Sequence, residues 1–149
     1  MMKKITLKGS WIIKAPIDQV FKIISDFENM PNNFPSVAES LIITKKDGNN
    51  LEIDAKAKSF GMVFPVKMKT EILPRIGYIS DNENSKLGIS GHEEFLMEEI
   101  EEGTRINYVY EVDIHNKWLR MVAKPLIGWY SMKFWEKAFI DRLKDIIKK

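Results

Sequence analysis

The segment Ile12-Ile13-Lys14-Ala15-Pro16-Ile17-Asp18-Gln19-Val20-Phe21-Lys22-Ile23-Ile24 contains a change of hydrophobic period, and that change decides the fold. Upstream of it, Ile5, Leu7, Trp11 and Ile13 alternate with Thr6, Lys8 and Ser10. A period of two is that of a strand with one buried face. Gly9, within this run, is read as a bulge. Ala15-Pro16 ends the strand. Proline has no N–H to give and a fixed φ, both of which suit a first helical turn. Pro16 or Ile17 therefore opens a short helix with Val20, Phe21, Ile23 and Ile24 on its apolar face. Ser25 to Pro35 is rich in turn residues, with room for one more helical turn.

Strand patterns follow without a second long helix until the end. Leu41 to Lys46 stops at Asp47-Gly48-Asn49-Asn50, a strong turn signal. Leu51, Ile53, Ala55 and Ala57 alternate with Glu52, Asp54, Lys56 and Lys58, as in an antiparallel strand buried on one face. Val66, Met68, Thr70 and Ile72 alternate with Lys67, Lys69 and Glu71. Between these two runs, Ser59 to Pro65 is an unusually apolar connection. Ile76 to Ser80 is read as a fifth strand, with a turn at Asp81 to Ser85, and Lys86 to Glu99 as a sixth. A turn at Glu102-Gly103 leads to the seventh, in which Ile106, Tyr108, Tyr110, Val112 and Ile114 share one face. Consecutive strands joined by short turns predict an antiparallel meander.

The last third changes character. Residues 117–149 hold three of the four tryptophans and nine basic against three acidic residues. Pro125 separates a turn from the main helix. After it, Trp129, Met132, Trp135, Phe139, Ile140, Leu143, Ile146 and Ile147 form one stripe at ~100° per residue, a face for covering the sheet. Ile127, Tyr130 and Phe134 lie on the opposite flank, so the first half of the helix is apolar nearly all round. Such a helix is buried on several sides or touches an apolar partner.

Composition sets outer limits. A chain of 149 residues is the size of one domain, and 1–149 is read as one. With no cysteine, disulfides, thiolate nucleophiles and cysteine zinc sites are excluded. The net charge of +2 gives no global field for nucleic acid. Six glutamates within residues 93–102 read as a solvated face. Met1 to Thr6 lacks the apolar run of a signal peptide, and no stretch reaches about 18 uninterrupted apolar residues. The expected location is the cytoplasm, with peripheral membrane association as the variant.

Few residues suggest chemistry. His92 and His115 are the only histidines, and neither has a second at metal-ligand spacing, so no metal site is expected. No phosphate loop or nucleophile elbow is present, and no cofactor is expected. Glu93 shares a strand face with Phe95 and Met97 by period two. An ionised acid on an apolar face is costly without a partner. Three readings stay open for Glu93: orienting a polar ligand head, acting as a base with a raised pKa, or reaching water near a strand end. Tyr108 and Tyr110, on the inward face of the seventh strand, suit a lined cavity or a filled core.

Ile12 to Pro31, running from a strand through Ala15-Pro16 into a helix and then through Asp26-Phe27-Glu28 to Pro31, resembles the opening signature of the START-like (SRPBCC) superfamily. Glu93-Glu94-Phe95 ahead of Glu102-Gly103-Thr104-Arg105-Ile106, and a terminal helix opened by Lys124-Pro125-Leu126-Ile127-Gly128, extend the resemblance over the whole chain. It is nearest the polyketide cyclase/dehydrase and coenzyme Q-binding branch. The resemblance implies an α+β helix-grip fold: a seven-stranded antiparallel sheet around a long C-terminal helix, with one or two short helices after strand 1. It also implies a cavity for a hydrophobic small molecule, such as a lipid, quinone or polyketide. Glu93, Phe95, Met97, Tyr108, Tyr110, Met68 and Trp129 would line it. Phe60, Met62, Phe64, Ile127, Tyr130 and Phe134 would stand at its mouth. Glu93 occupies the usual Trp position of the sixth strand, which makes one end of the cavity polar and supplies the weak candidate for a catalytic acid or base. The expected function is binding or transfer of such a molecule. The alternatives are a cyclase/dehydratase-type enzyme or a membrane or protein docking module.

Overall fold

The computed structural model describes residues 5–59, 62–84, 88–118, 121 and 132–148, with the side chains of Ser59, Met62 and Met132 left aside. Strand β1 (Ile5–Ile13) leads into helix α1 (Ile17–Ile24), a 3-10 turn (Phe27–Asn29) and the short helix α2 (Met30–Asn33). Six strands follow: β2 (Ala38–Asp47), β3 (Asn50–Ser59), β4 (Met62–Leu73), β5 (Gly77–Asn84), β6 (Ile89–Ile100) and β7 (Gly103–Ile114). The closing helix consists of α3 (Met132–Trp135), a π-helical segment (Glu136–Asp141) and α4 (Arg142–Lys148). The seven strands form one antiparallel sheet in the order β1-β7-β6-β5-β4-β3-β2. This is the expected α+β helix-grip arrangement.

Alternation fixes which side of the sheet meets the helices. Ile13, Ile53, Phe95 and Ile106 are almost wholly buried and belong to one core with Val20 and Ile24 of α1 and Phe139, Ile140 and Leu143 of the closing helix. Pro16, at φ −60° and ψ 144°, stands at the start of α1 and lets its apolar residues turn inward. Arg142 Nε donates to the Asn33 carbonyl at 2.7 Å, tying the closing helix to the end of α2. Phe34 stacks on Phe139 at 4.1 Å between ring centres.

Several local readings need correction. Gly9 is not a bulge: β1 pairs with β7 without interruption from Ile5 to Ile13. Its role is space, because the Trp11 indole lies over it and a Cβ there would come within 2.2 Å of the ring. The fifth strand runs to Asn84, through residues whose composition reads as turn, because β4 and β6 both pair with it. The sixth strand is described from Ile89, just after a turn at Gly88, and Lys86, where the sequence pattern starts it, lies outside the described residues. The apolar connection from Ser59 to Pro65 is mostly strand, with Ser59 paired to Met62 and Lys56 to Pro65. Proline fits there because β5 pairs with β4 only from Lys67 onward.

Candidate ligand site on the inner face of the sheet

Inner-face positions of β4 to β7 place a row of polar groups beside an aromatic column. Cross-strand partners share a face, so the pairs Thr70–Ser80, Ser80–Glu93 and Glu93–Tyr110 form one line across four strands. One step along the strands, Tyr78–Phe95 and Phe95–Tyr108 form a parallel aromatic line. The polar line is therefore a local interruption of a greasy surface.

Glu93 is 8% exposed, and it is the buried carboxylate among the described residues. The Tyr108 hydroxyl donates to its Oε2 at 2.5 Å. A side-chain hydrogen bond with Asn82 also supports it. Burial pushes the Glu93 pKa above its ordinary value, and the bonds from Tyr108 and Asn82 partly offset that rise. Behind Asn82 the line continues: Ser80 Oγ donates to Asn82 Oδ1 at 2.8 Å, and Thr70 Oγ1 lies 2.9 Å from Ser80 Oγ. Burial, reinforced by the Glu93 charge, raises the pKa of Tyr108 well above the usual phenol value and pushes Tyr110 up to about 12. Both are neutral hydrogen-bonding groups at physiological pH.

The closing helix caps this row with rings. Trp135 stacks on Tyr108 at 4.1 Å and on Phe139 at 4.8 Å, and Tyr108 is followed by Tyr110 at 6.5 Å. Trp11 meets Trp135 at 5.3 Å, and its indole N–H donates to Glu136 Oε1 at 2.8 Å. Gly91 is to Tyr110 what Gly9 is to Trp11: a Cβ at Gly91 would stand 2.6 Å from the Tyr110 hydroxyl.

The structure brings together most of the residues expected at the ligand cavity. Phe95 and Met97 are buried in the core, Tyr108 is 4% exposed, and Tyr110 and Met68 are partly buried and packed against that core. Trp129 lies outside the described residues, as do Phe60, Ile127 and Tyr130, together with the side chain of Met62. Phe64 and Phe134 are both partly buried, on β4 and on the closing helix. Sequence reasoning misses Thr70, Ser80 and Asn82 as members of the site. For Ser80 and Asn82 the signal is position, two and four residues along from Tyr78, and it is usable only once β5 is known to extend beyond Ser80.

His92 is on the opposite face from Glu93. It bonds Asp81 Oδ1 at 2.7 Å and Glu94 Oε2 at 3.1 Å. Among the described residues no cluster of His, Asp or Glu has the arrangement of a metal site. No described helix is long and apolar enough to cross a membrane.

The sequence profile of a family described as "Polyketide cyclase / dehydrase and lipid transport" matches residues 4–148. No curated protein matches the sequence significantly. Among solved structures, the di-domain ARO/CYC StfQ of the steffimycin biosynthetic pathway superposes with a TM-score of 0.78 at 14% identity, covering 95% of this chain and 50% of that one. The present chain thus spans half the length of StfQ. TTHA0849 from Thermus thermophilus gives 0.75 at 15% identity over 94% of both chains. Norcoclaurine synthase from Thalictrum flavum, in complex with dopamine and hydroxybenzaldehyde, gives 0.70 at 16% identity, over 98% of this chain and 87% of that one. At such identities the superpositions speak to the fold, while the profile spans nearly every residue: this chain belongs to the polyketide cyclase/dehydrase and lipid transport family.

Proposed function

We propose that this protein binds a hydrophobic small molecule between the inner face of its sheet and the closing helix, with the molecule's polar group set against the Glu93 row. The observation that carries this reading is the Glu93–Tyr108 hydrogen bond, buried on a face otherwise built from aromatic and aliphatic side chains. A buried carboxylate with its supporting donors is costly to maintain in a core that packing alone would fill. The family description, which covers lipid transport, and the small aromatic molecules held by norcoclaurine synthase support the same class of ligand. The test is native mass spectrometry of protein purified from cells, paired with titration of an apolar fluorescent dye. A co-purifying apolar molecule or saturable dye binding supports the reading. Finding neither overturns it.

A second reading, that of an enzyme of the cyclase/dehydrase type, is favoured by one feature. Burial holds the Glu93 carboxyl above its ordinary pKa, closer to the range where a carboxylate accepts a proton efficiently. Glu93 would then remove a proton from carbon beside a substrate carbonyl, with a tyrosine hydroxyl donating to the developing oxyanion. Turnover of a poly-β-ketone thioester by wild type, abolished in Glu93→Gln while binding is kept, is the expected result. Equal turnover by both proteins removes this reading.

A further inference from the structure

The antiparallel register sorts the connections of the chain between two ends of the sheet, and the two ends differ in charge. Pairing of Ile5 with Val112, Ile89 with both Ile114 and Asn84, Lys67 with Glu83 and Ser59 with Met62 puts four features at one end: the start of β1, the β3–β4 and β5–β6 connections and the exit from β7. In sequence these stretches, 1–4, 60–61, 85–88 and 115–131, contain Lys3, Lys4, Lys86, Lys117, Arg120 and Lys124 and no Asp or Glu. The opposite end carries Glu98, Glu99, Glu101 and Glu102 around the β6–β7 turn. Of the acids on the strands near the basic end, Asp54 and Glu83 both stand directly across from Lys67. Asp113 turns one carboxylate oxygen away from solvent. Exposed Glu39 lies on β2, at the far edge of the sheet from β7.

We infer that this end of the molecule docks on an anionic lipid membrane, with Trp118 and Met121 entering the surface and Lys117 beside the lipid phosphates. Trp118 is 68% exposed and Met121 70%, the two most exposed large apolar side chains among the described residues. Both are helical, and a spacing of three sets them on one face. Lys117, next to Trp118, is exposed as well. Exposed Ile12, Ile42 and Ile76 stand singly on separate elements, which is ordinary for a protein surface. A tryptophan and a methionine together, flanked by cations, are the composition of a helix that lies in a membrane interface. Val63, 44% exposed, stands across from Lys58 and adds a second apolar and basic point at the same end. Charge selects the occupant: an anionic surface attracts the end whose connections hold no acid and repels the β6–β7 turn, which orients the molecule before contact. The inference is independent of what the interior binds.

The test is co-sedimentation with two kinds of vesicle, phosphatidylcholine alone and phosphatidylcholine mixed with phosphatidylserine. Wild type is expected to pellet with the mixed vesicles only, and less so as salt rises. Trp118→Ser should partition about tenfold more weakly, for the apolar area it no longer buries. Lys117→Gln should partition about fivefold more weakly, the worth of one cation near an anionic surface. Ile76→Ser, at the opposite end, should pellet like wild type. Should Trp118→Ser fold poorly, brominated acyl chains answer instead: they should quench part of the wild-type tryptophan fluorescence, and Trp118→Phe, which keeps an aromatic ring, should pellet but lose that quenching. Wild type that stays in solution, or that pellets equally with both kinds of vesicle, overturns the inference. So does undiminished binding by Trp118→Ser, or quenching unchanged in Trp118→Phe. Release from the vesicles by soluble phosphoserine would show a site for a free phosphate group, and retention on an immobilised acidic peptide but not on vesicles would assign this end to a protein; either result overturns it.

Discussion

Tyr108 reaches Glu93 diagonally: its hydroxyl lies 2.5 Å from the carboxylate, although the residue directly opposite Glu93 across β6 and β7 is Tyr110. Diagonal neighbours on a sheet lie within reach of long aromatic side chains. The arrangement lets Trp135 lie flat on the Tyr108 ring while the hydroxyl serves the acid. One tyrosine thus satisfies a buried charge and extends an aromatic stack.

Tyr108→Phe separates these two duties. The ring stays to stack on Trp135, but Glu93 loses a donor in a buried place. The expected cost is about 1–3 kcal/mol. It should appear in urea denaturation as a lower midpoint with an unchanged slope. A midpoint equal to that of wild type would mean that the bond contributes nothing to the fold.

Glu93 makes stability depend on pH in a definite direction. Burial raises its folded pKa above the unfolded value. Between those two values the folded chain keeps a proton that the unfolded chain has released. Stability therefore falls as pH rises through that window, and it levels off above the folded pKa. In Glu93→Gln this contribution is gone. Denaturation of both proteins, from the ordinary carboxylate range to neutrality, should show wild type gaining on the variant as pH falls. A constant difference across the range would sink the argument.

His92 has the same sign of pH dependence but a different origin: its charged form is favoured, whereas that of Glu93 is disfavoured. Its hydrogen bond to Asp81 is the largest influence and raises its pKa; burial lowers it somewhat, and the bond to Glu94 raises it further. The stabilising contribution is fully present below the ordinary histidine value and is lost as pH rises through the raised folded value. An NMR titration of the imidazole C–H should give a midpoint above the usual one in wild type and a lower one in Asp81→Asn. Identical midpoints would remove Asp81 as the cause.

Gly9→Ala should drive the Trp11 indole off the sheet, because the new Cβ would lie 2.2 Å from the ring. The ring is held on its other side by Trp135 and Glu136, so it cannot move without losing both contacts. Overpacking of this kind costs about 1–3 kcal/mol. The near-ultraviolet circular dichroism of the tryptophan pair should weaken along with the thermal midpoint. An unchanged spectrum would show that the indole adapts without cost.

Much of this architecture is legible in the sequence because burial of one face imposes a period. Leu51 to Lys58 alternates strictly, Ile106 to Ile114 does so except at Val109, and both are strands paired on either side. The same rule puts Glu93 on one face with Phe95 from spacing alone. It fails at Asp81 to Asn84, where inward Asn82 and Asn84 alternate with outward Asp81 and Glu83, so both faces are polar and no period survives. Those residues are strand because β4 and β6 offer backbone partners on both sides. The polar row is hidden for the same reason: its members are held by each other, and a hydrogen bond between strands leaves no mark in the spacing of either one.

The π-helical segment at Glu136–Asp141 has a consequence for comparing sequences. Trp135 and Leu143 are eight residues apart, and a uniform α-helix would set them about 80° apart. A π turn absorbs one residue as a local widening, so the flanking turns sit as though seven residues separated them, about 20° apart. Ala138, Phe139 and Ile140 are consecutive and all buried, as such widening allows. A relative one residue shorter here would keep Trp135 and Leu143 on the same face with an ordinary α-helix between them. Aligning such a relative demands a single-residue gap inside an unbroken helix, and an alignment that forbids the gap would pair every helix residue ahead of it with the wrong partner.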